Sequence, residues 1–97
     1  MTIDKVKFEM FAFFEECVWG DSSHWGDTSP DDYSELYNLY NKQNELVGSL
    51  AWLDIKNGFQ NCNTKEDLDN LINVEWKYID EGLSEGLNEL LEDIDTE

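Results

Sequence analysis

The sequence predicts a small, mainly α-helical fold of one domain that ends in a long acidic helix. Three observations predict it: apolar residues recur at steps of three and four through most of the chain, helix-start residues stand at the head of these repeats, and the last third carries the most regular repeat. The 97 residues have the length of one domain. With 40% apolar and 13% aromatic residues, including four Trp, the chain can build one packed core despite a charge that otherwise marks disorder.

The first helix is expected over residues 3–19. Ile3, Val6, Met10, Phe14 and Cys17 share a stripe, Thr2 can cap the start, and Gly20 stands just beyond the end. The alternation Val6, Phe8, Met10, Ala12 also fits a strand over a shorter window. Phe11 and Phe13 make the segment apolar nearly all round, which predicts a central place in the fold. After a polar loop over residues 20–29, Ser29-Pro30-Asp31-Asp32 combines a cap serine, a first-turn proline and two acids at the positive helix end. A second helix is predicted there, with Tyr33, Leu36, Tyr37 and Tyr40 on one face. Leu46, Leu50 and Leu53 suit a third helix ending near Gly58. The alternative is a short strand within residues 46–55, giving an α+β fold.

The last segment has the clearest pattern. Leu68, Ile72, Trp76, Ile79, Leu83, Leu87, Leu90 and Ile94 advance by fours and threes in an eleven-residue repeat, a period of about 3.67 that keeps one stripe aligned along a helix. Thr64 with Asp67 caps its start. Gly82 and Gly86 would each cost about 1 kcal/mol inside a helix, so a kink or break there is the competing reading. Because the stripe stays in phase across both glycines, one long helix, bent if anything, is predicted.

Charge restricts function. Twenty-three Asp and Glu oppose six Lys and no Arg, for a formal net charge of −17. Such a surface repels nucleic acid and anionic lipid, and the residue best suited to bidentate phosphate recognition is missing. The longest apolar runs, Met10–Phe14 and Leu50–Leu53, are too short to span a bilayer. Direct nucleic acid and membrane partners are therefore not expected. Cys17 and Cys62 lie far apart with no CxxC spacing and no signal-peptide pattern before them, which predicts a reducing cytoplasm and neither a zinc site nor a disulfide framework.

Glu81, Glu85, Glu89 and Glu92 fall on one helical face, opposite Leu83, Leu87, Leu90 and Ile94. Alone, that is an ordinary solvated face. Two details add to it. Glu92, Asp93, Asp95 and Glu97 crowd the negative end of the helix, where each acid is unfavourable by about 0.3–1 kcal/mol, and Glu15 and Glu16 do the same in the first helix. Local rules broken without a stabilising return mark functional surface. Further, residues 66–97 hold twelve acids and one lysine. As one helix they would span about 48 Å, or about one acid per 4 Å, against one phosphate per about 3.4 Å on a DNA strand. Patches at residues 15–21 and 27–35, with Asp31, Asp32 and Glu35, could supply a second track.

Other constellations are weaker. Asp21, Ser23, Gly26, Asp27, Ser29 and Asp32 stand near the ligand and turn positions of a calcium-binding loop, but Trp25 replaces an oxygen ligand, Pro30 intrudes and the closing residue is Asp. An ordinary interhelical loop is the preferred reading, and an acidic adaptor with a degenerate calcium loop is the alternative. His24, the one histidine, reads as a surface residue. No phosphate loop, nucleophile elbow or distinguished carboxylate pair is present, so the chain reads as a non-enzyme with no catalytic residue, metal or cofactor. Trp19, Trp25 and Tyr33 flank loops and could anchor a partner.

In size, charge, lack of Arg and acidic helices across most of its length, the chain resembles, as a class, the small acidic DNA-mimic inhibitors of phages and plasmids, such as the ocr-type antirestriction proteins and several anti-CRISPR proteins. These inhibitors share neither a motif nor a fold. The resemblance implies a stoichiometric inhibitor, acting in the host bacterial cytoplasm if phage-encoded, that occupies the DNA- or RNA-binding cleft of a basic host protein such as a nuclease, restriction enzyme or CRISPR effector. Glu81, Glu85, Glu89, Glu92 and Asp93 would be the principal phosphate stand-ins, supported by Asp95, Glu15, Glu16, Asp31, Asp32 and Glu35. The alternative partner is one basic toxin, covered by an immunity or antitoxin protein that depends on aromatic anchors. The long apolar stripe could also pair two chains as a homodimer.

Overall fold

Thr2 opens the first element by accepting a hydrogen bond from the Lys5 N–H at 3.3 Å, and Gly20 closes it in the left-handed conformation, φ 75°. This is α1 (Ile3–Trp19), the helix that the sequence predicts, in a computed structural model that describes residues 2–20, 24–26 and 33–94. Val6, Met10, Phe11 and Phe14 are buried, while Cys17 at the end of the stripe is exposed. Around them gather Trp52, Phe59 and Trp76. Phe14 meets Trp76 edge to face at 5.7 Å and Phe59 meets Trp76 at 5.1 Å, a geometry aromatic quadrupoles favour.

The second and third segments depart from expectation. The expected start of the second helix, residues 29–32, lies outside the described residues, and Tyr33 just after it is in a 3-10 turn; Leu36, Tyr37 and Tyr40 are not helical, and β1 (Tyr37–Tyr40) and β2 (Leu46–Leu50) form an antiparallel hairpin instead. In a strand these tyrosines alternate: Tyr37 and Leu39 turn inward, Asn38 and Tyr40 outward. The deciding chemistry lies in the turn. Asn41 Oδ1 accepts the N–H groups of Gln43 and Glu45, both at 2.9 Å, and Asn44 takes φ 61°, a conformation asparagine tolerates. A bulge at Val47 shifts the register between Leu39, opposite Gly48, and Tyr40, opposite Leu46. The strand alternative for residues 46–55 thus holds over its first half, and a helix, α2 (Trp52–Gln60), takes the rest. Asp54 accepts the Ala51 N–H at 2.9 Å to start it. Beyond its far end the Lys7 ammonium donates to the carbonyls of Gln60 and Cys62, at 3.1 and 2.7 Å, placing positive charge at the negative pole of the helix.

The C-terminal stripe is buried as predicted, from Leu68 through Ile72, Trp76, Ile79, Leu83, Leu87 and Ile94, with Leu91 in place of half-buried Leu90. The continuous helix is not there. A six-residue α3 (Lys65–Asn70), capped by Thr64 and Asp67 as expected, runs into a π-helical turn (Leu71–Glu75) and stops. After a break over residues 76–80, Asp80 accepts the N–H groups of Gly82 and Leu83 and opens α4 (Glu81–Glu92). A straight helix over residues 64–94 would be about 45 Å long, and the longest extent of the molecule is 39 Å. Folding back lets α4 pack on α1 and lets Trp76 press on Gly58, where an added Cβ would come within 2.8 Å of its ring. Neither Gly82 nor Gly86 is the breakpoint. Gly86 sits against Phe13 of α1 so closely that a Cβ would collide with the ring, so this glycine is a packing device between helices.

The buried side chains form one cluster drawn from every helix. No helix among the described residues is long and apolar enough to cross a membrane.

Candidate functional site

The acidic row predicted on the last helix is in place. Glu81, Glu85, Glu89 and Glu92 are all exposed on α4, whose other side buries Leu83, Leu87 and Leu91. The helix is held firmly: Gly86 meets Phe13, and Asn88 and Asn73 exchange hydrogen bonds at 3.0 and 3.1 Å, joining α4 to the π turn. The break before Asp80 shortens the rigid track from the expected 48 Å. The row rises by about 6, 6 and 4.5 Å per step, about 16.5 Å in all.

The whole row borders one furrow, and Glu89 borders a second one as well. On one side α1 lies alongside, and Glu9 and Glu16 face Glu89 and Asp93 across a floor of Ala12, Phe13, Gly86 and Leu90. Two further acids, half-buried Glu9 and exposed Glu16, therefore stand beside the C-terminal half of the row. On the other side a wider groove separates the row from Tyr37, Asn38, Tyr40 and Asn41 of the hairpin and from Lys77 and Tyr78, over a floor that includes Val18, Ile79 and Leu83. Two of the six lysines, Lys7 and Lys56, are buried, so they do little to offset the acidic surface.

Glu15 is a correction. It is fully buried, at 0% exposure, and is no phosphate stand-in. Its Oε2 accepts the Trp52 indole N–H at 2.9 Å and lies 3.1 Å from His24 Nδ1, while Oε1 accepts the His24 backbone N–H at 3.4 Å. The Tyr33 hydroxyl stands 3.1 Å from the same Nδ1. Nδ1 of His24 is therefore shared by the Glu15 carboxyl and the Tyr33 hydroxyl. His24 is thus neither a free surface residue nor an isolated one: it pins its loop to α1 and α2. A sequence signal for this exists, because Glu15 lies four residues after Phe11 and next to Phe14, inside the apolar sector of the helix.

No family model, curated protein or solved structure matches the chain.

The remaining candidates sort by position. Glu16 is exposed beside α4, and Asp93 is exposed at its end; Glu35 is exposed ahead of β1 but lines neither furrow. Asp31, Asp32 and Asp95 lie outside the described residues, as do the calcium-loop positions Asp21, Ser23, Asp27, Ser29 and Asp32. Of the expected anchors, Tyr33 is buried and stacked on half-buried Trp19 at 5.3 Å, and half-buried Trp25 packs on Phe11 at 5.3 Å. Tyr33 is committed to the core. Among the described residues the exposed rings are Phe8, at 38%, and Tyr40 and Tyr78, at 47% and 38%, of which the two tyrosines lie on the wider groove. A helical reading of this segment hides Tyr40, which only a strand turns outward.

The thiols are poorly suited to nucleophilic work. Partial burial, then the Glu16 and Asp80 carboxylates, push Cys17 up, and burial followed by Asp67 does the same to Cys62. The Tyr37 hydroxyl accepts the Asp80 N–H at 2.9 Å, joining β1 to the head of α4, and burial raises its pKa.

Proposed function

We propose that the protein is a nucleic-acid-mimic inhibitor that occupies the DNA- or RNA-binding cleft of a basic host protein, a defence or DNA-processing enzyme. The observation that carries this reading is the exposed acidic row on α4, Glu81, Glu85, Glu89 and Glu92, with Glu9 and Glu16 of α1 beside Glu89 and Asp93 at its C-terminal half. Packed helices lie about 8–10 Å apart, between the minor- and major-groove widths of about 6 and 12 Å in B-DNA. A basic cleft that binds such a body meets its charges already ordered, and the affinity should fall steeply with salt. On this reading the protein is no enzyme, needs no cofactor and acts in the bacterial cytoplasm.

The test is capture of basic proteins from bacterial lysate by the wild-type chain and by a Glu85→Lys, Glu89→Lys, Glu92→Lys variant, followed by challenge with unrelated duplex DNA. Capture should be lost in the variant, and DNA should displace the wild-type partner. A partner that the variant still holds at physiological salt rules this face out.

The hairpin supports a second reading, that of an immunity or antitoxin protein for one basic toxin. Leu36, Leu46 and Val47 are 55%, 62% and 45% exposed on a stretch that carries one lysine and one acid. Specific surfaces use such apolar contacts. A single partner that DNA cannot displace, and that Leu46→Asp releases, would select this reading over mimicry.

A further inference from the structure

The groove between β1 and α4 has walls of different chemistry. One wall is the outer edge of β1. Inward-facing Tyr37 and outward-facing Asn38 and Tyr40 all border the groove while no residue of β2 does, so an edge and not a face of the sheet lines it. The sheet has two strands, and among the described residues no backbone group pairs with β1 on that side. An open edge is a template for an added strand. The opposite wall is the row Glu81, Glu85 and Glu89. The Tyr37–Asp80 hydrogen bond fixes one wall to the other.

We propose that this groove binds an extended segment of the partner carrying Lys or Arg at alternate positions, its backbone paired to the β1 edge and its cations to the α4 carboxylates. The proposal rests on the reading that the acidic face of α4 engages a basic protein, and it specifies the part of that protein received. Spacing supports it. Side chains on one face of an extended chain repeat every 6.6–6.8 Å or so, and the acidic row repeats about every 6 Å, so three cations drift from three carboxylates by only about 1.5 Å. The lengths agree too, at about 13 Å for the four residues of β1 and about 12 Å from Glu81 to Glu89. A helical partner with cations four residues apart would match the row but leave the strand edge unused.

The charge balance agrees in sign. Five carboxylates line the groove against Lys42 and Lys77. The Lys77 ammonium already rests over the Tyr78 ring, 5.1 Å from its centre, and the exposed ring of Tyr40 offers a second face of the same kind to an incoming cation.

The experiment titrates the full chain with three synthetic peptides at physiological salt: one alternating Lys and Thr, one of the same composition with the lysines in a block, and the alternating peptide with N-methylated backbone amides. The alternating peptide should bind about tenfold more tightly than either of the others, a difference of about 1.4 kcal/mol. Binding should slow amide exchange at Tyr37–Tyr40, and Glu85→Gln with Glu89→Gln should weaken it several-fold while leaving the circular dichroism spectrum unchanged. Equal affinity for the alternating and block peptides, or unchanged exchange in β1, overturns the proposal. If those results came with a captured basic protein that still depended on Glu85, Glu89 and Glu92, the groove proposal would fall and mimicry would stand. A tight alternating peptide with no DNA-displaceable partner would uphold the groove and remove mimicry.

Discussion

α1 and α4 both carry acids among apolar repeats and use them in opposite ways. On α4 the row Glu81, Glu85, Glu89, Glu92 stays in water, opposite the buried leucines. On α1, Glu15 points inward and is enclosed by Trp52, His24 and, through His24, Tyr33. Residue type is the same and the angle around the helix differs. A carboxylate outside the apolar sector is available to a partner, whereas one inside it becomes a structural acceptor that must find donors. Among the described residues no buried side-chain nitrogen or oxygen lacks a partner, so the inward acid is fully matched.

The largest effect is expected from removing that match. Glu15→Ala removes the carboxylate that accepts the Trp52 indole N–H and the His24 backbone N–H, each loss costing about 1–3 kcal/mol, and adds a cavity. Urea denaturation should show a loss of roughly 3–5 kcal/mol, a large share of the stability of a domain this size. A loss below about 1 kcal/mol would mean that the buried cluster is incidental to the fold.

Next comes a test of sign. Helix propensity alone says that Gly86→Ala should stabilise α4 by about 1 kcal/mol. The contact between Gly86 and Phe13 says otherwise, because a methyl group there forces α1 and α4 apart, and overpacking typically costs about 1–3 kcal/mol. Net destabilisation in thermal or urea melts supports the close approach that sets Glu9 and Glu16 beside the α4 row. Stabilisation would leave those acids without a fixed spacing from it.

The outward row should respond in the direction opposite to Glu15. Neutralising Glu85, Glu89 and Glu92 to Gln relieves like-charge repulsion along α4, worth a few tenths of a kcal/mol per pair, so the variant should melt slightly higher while, on the proposed function, capturing less basic protein. For the same reason added salt should raise the melting temperature of the wild type and raise that of the variant less. A wild-type melting point that is flat or falls with salt would show that its carboxylates are not under mutual strain.

What the sequence discloses depends on how local the cause is. The first helix with its Thr2 and Gly20 ends, the Thr64–Asp67 cap and the buried stripe from Leu68 to Ile94 follow from spacing and capping within a few residues. The outward acids of α4 follow from the same periodicity. The features that escape a sequence reading depend on distant contacts or on turn chemistry. The eleven-residue repeat serves a broken helix as well as a continuous one, and only the fit of Trp76 against Gly58 and of Gly86 against Phe13 selects the break. Asp80 followed by Glu81 and Gly82 is a legible cap that the phase of the stripe overshadows. The Asn41–Asn44 turn is a legible hairpin signal, and without it β1 reads as a helix, β2 as a strand only in the alternative for residues 46–55, and the groove between β1 and α4 stays hidden. The pairing of Glu15 with Trp52 spans 37 positions in the chain, a separation that no local pattern reports.

The smallest effect belongs to an acid between these extremes, exposed yet bonded. Asp67 accepts the backbone N–H of Asn63, which most strongly holds its carboxyl below the usual range, and that of Thr64 adds to it. A pKa lowered on folding contributes stability that is complete above the unfolded value, about 3.9, and is lost as pH falls through the folded value. Acid also discharges the other carboxylates and relieves repulsion, so the wild-type curve alone cannot isolate this cap. The difference between wild type and Asp67→Asn can. The substituted amide keeps an acceptor and loses the charge, so the gap between the two melting curves should be constant above about pH 4 and close as pH falls below it. A gap that stays open in strong acid would assign the role of Asp67 to hydrogen-bond geometry alone, with no part for its charge.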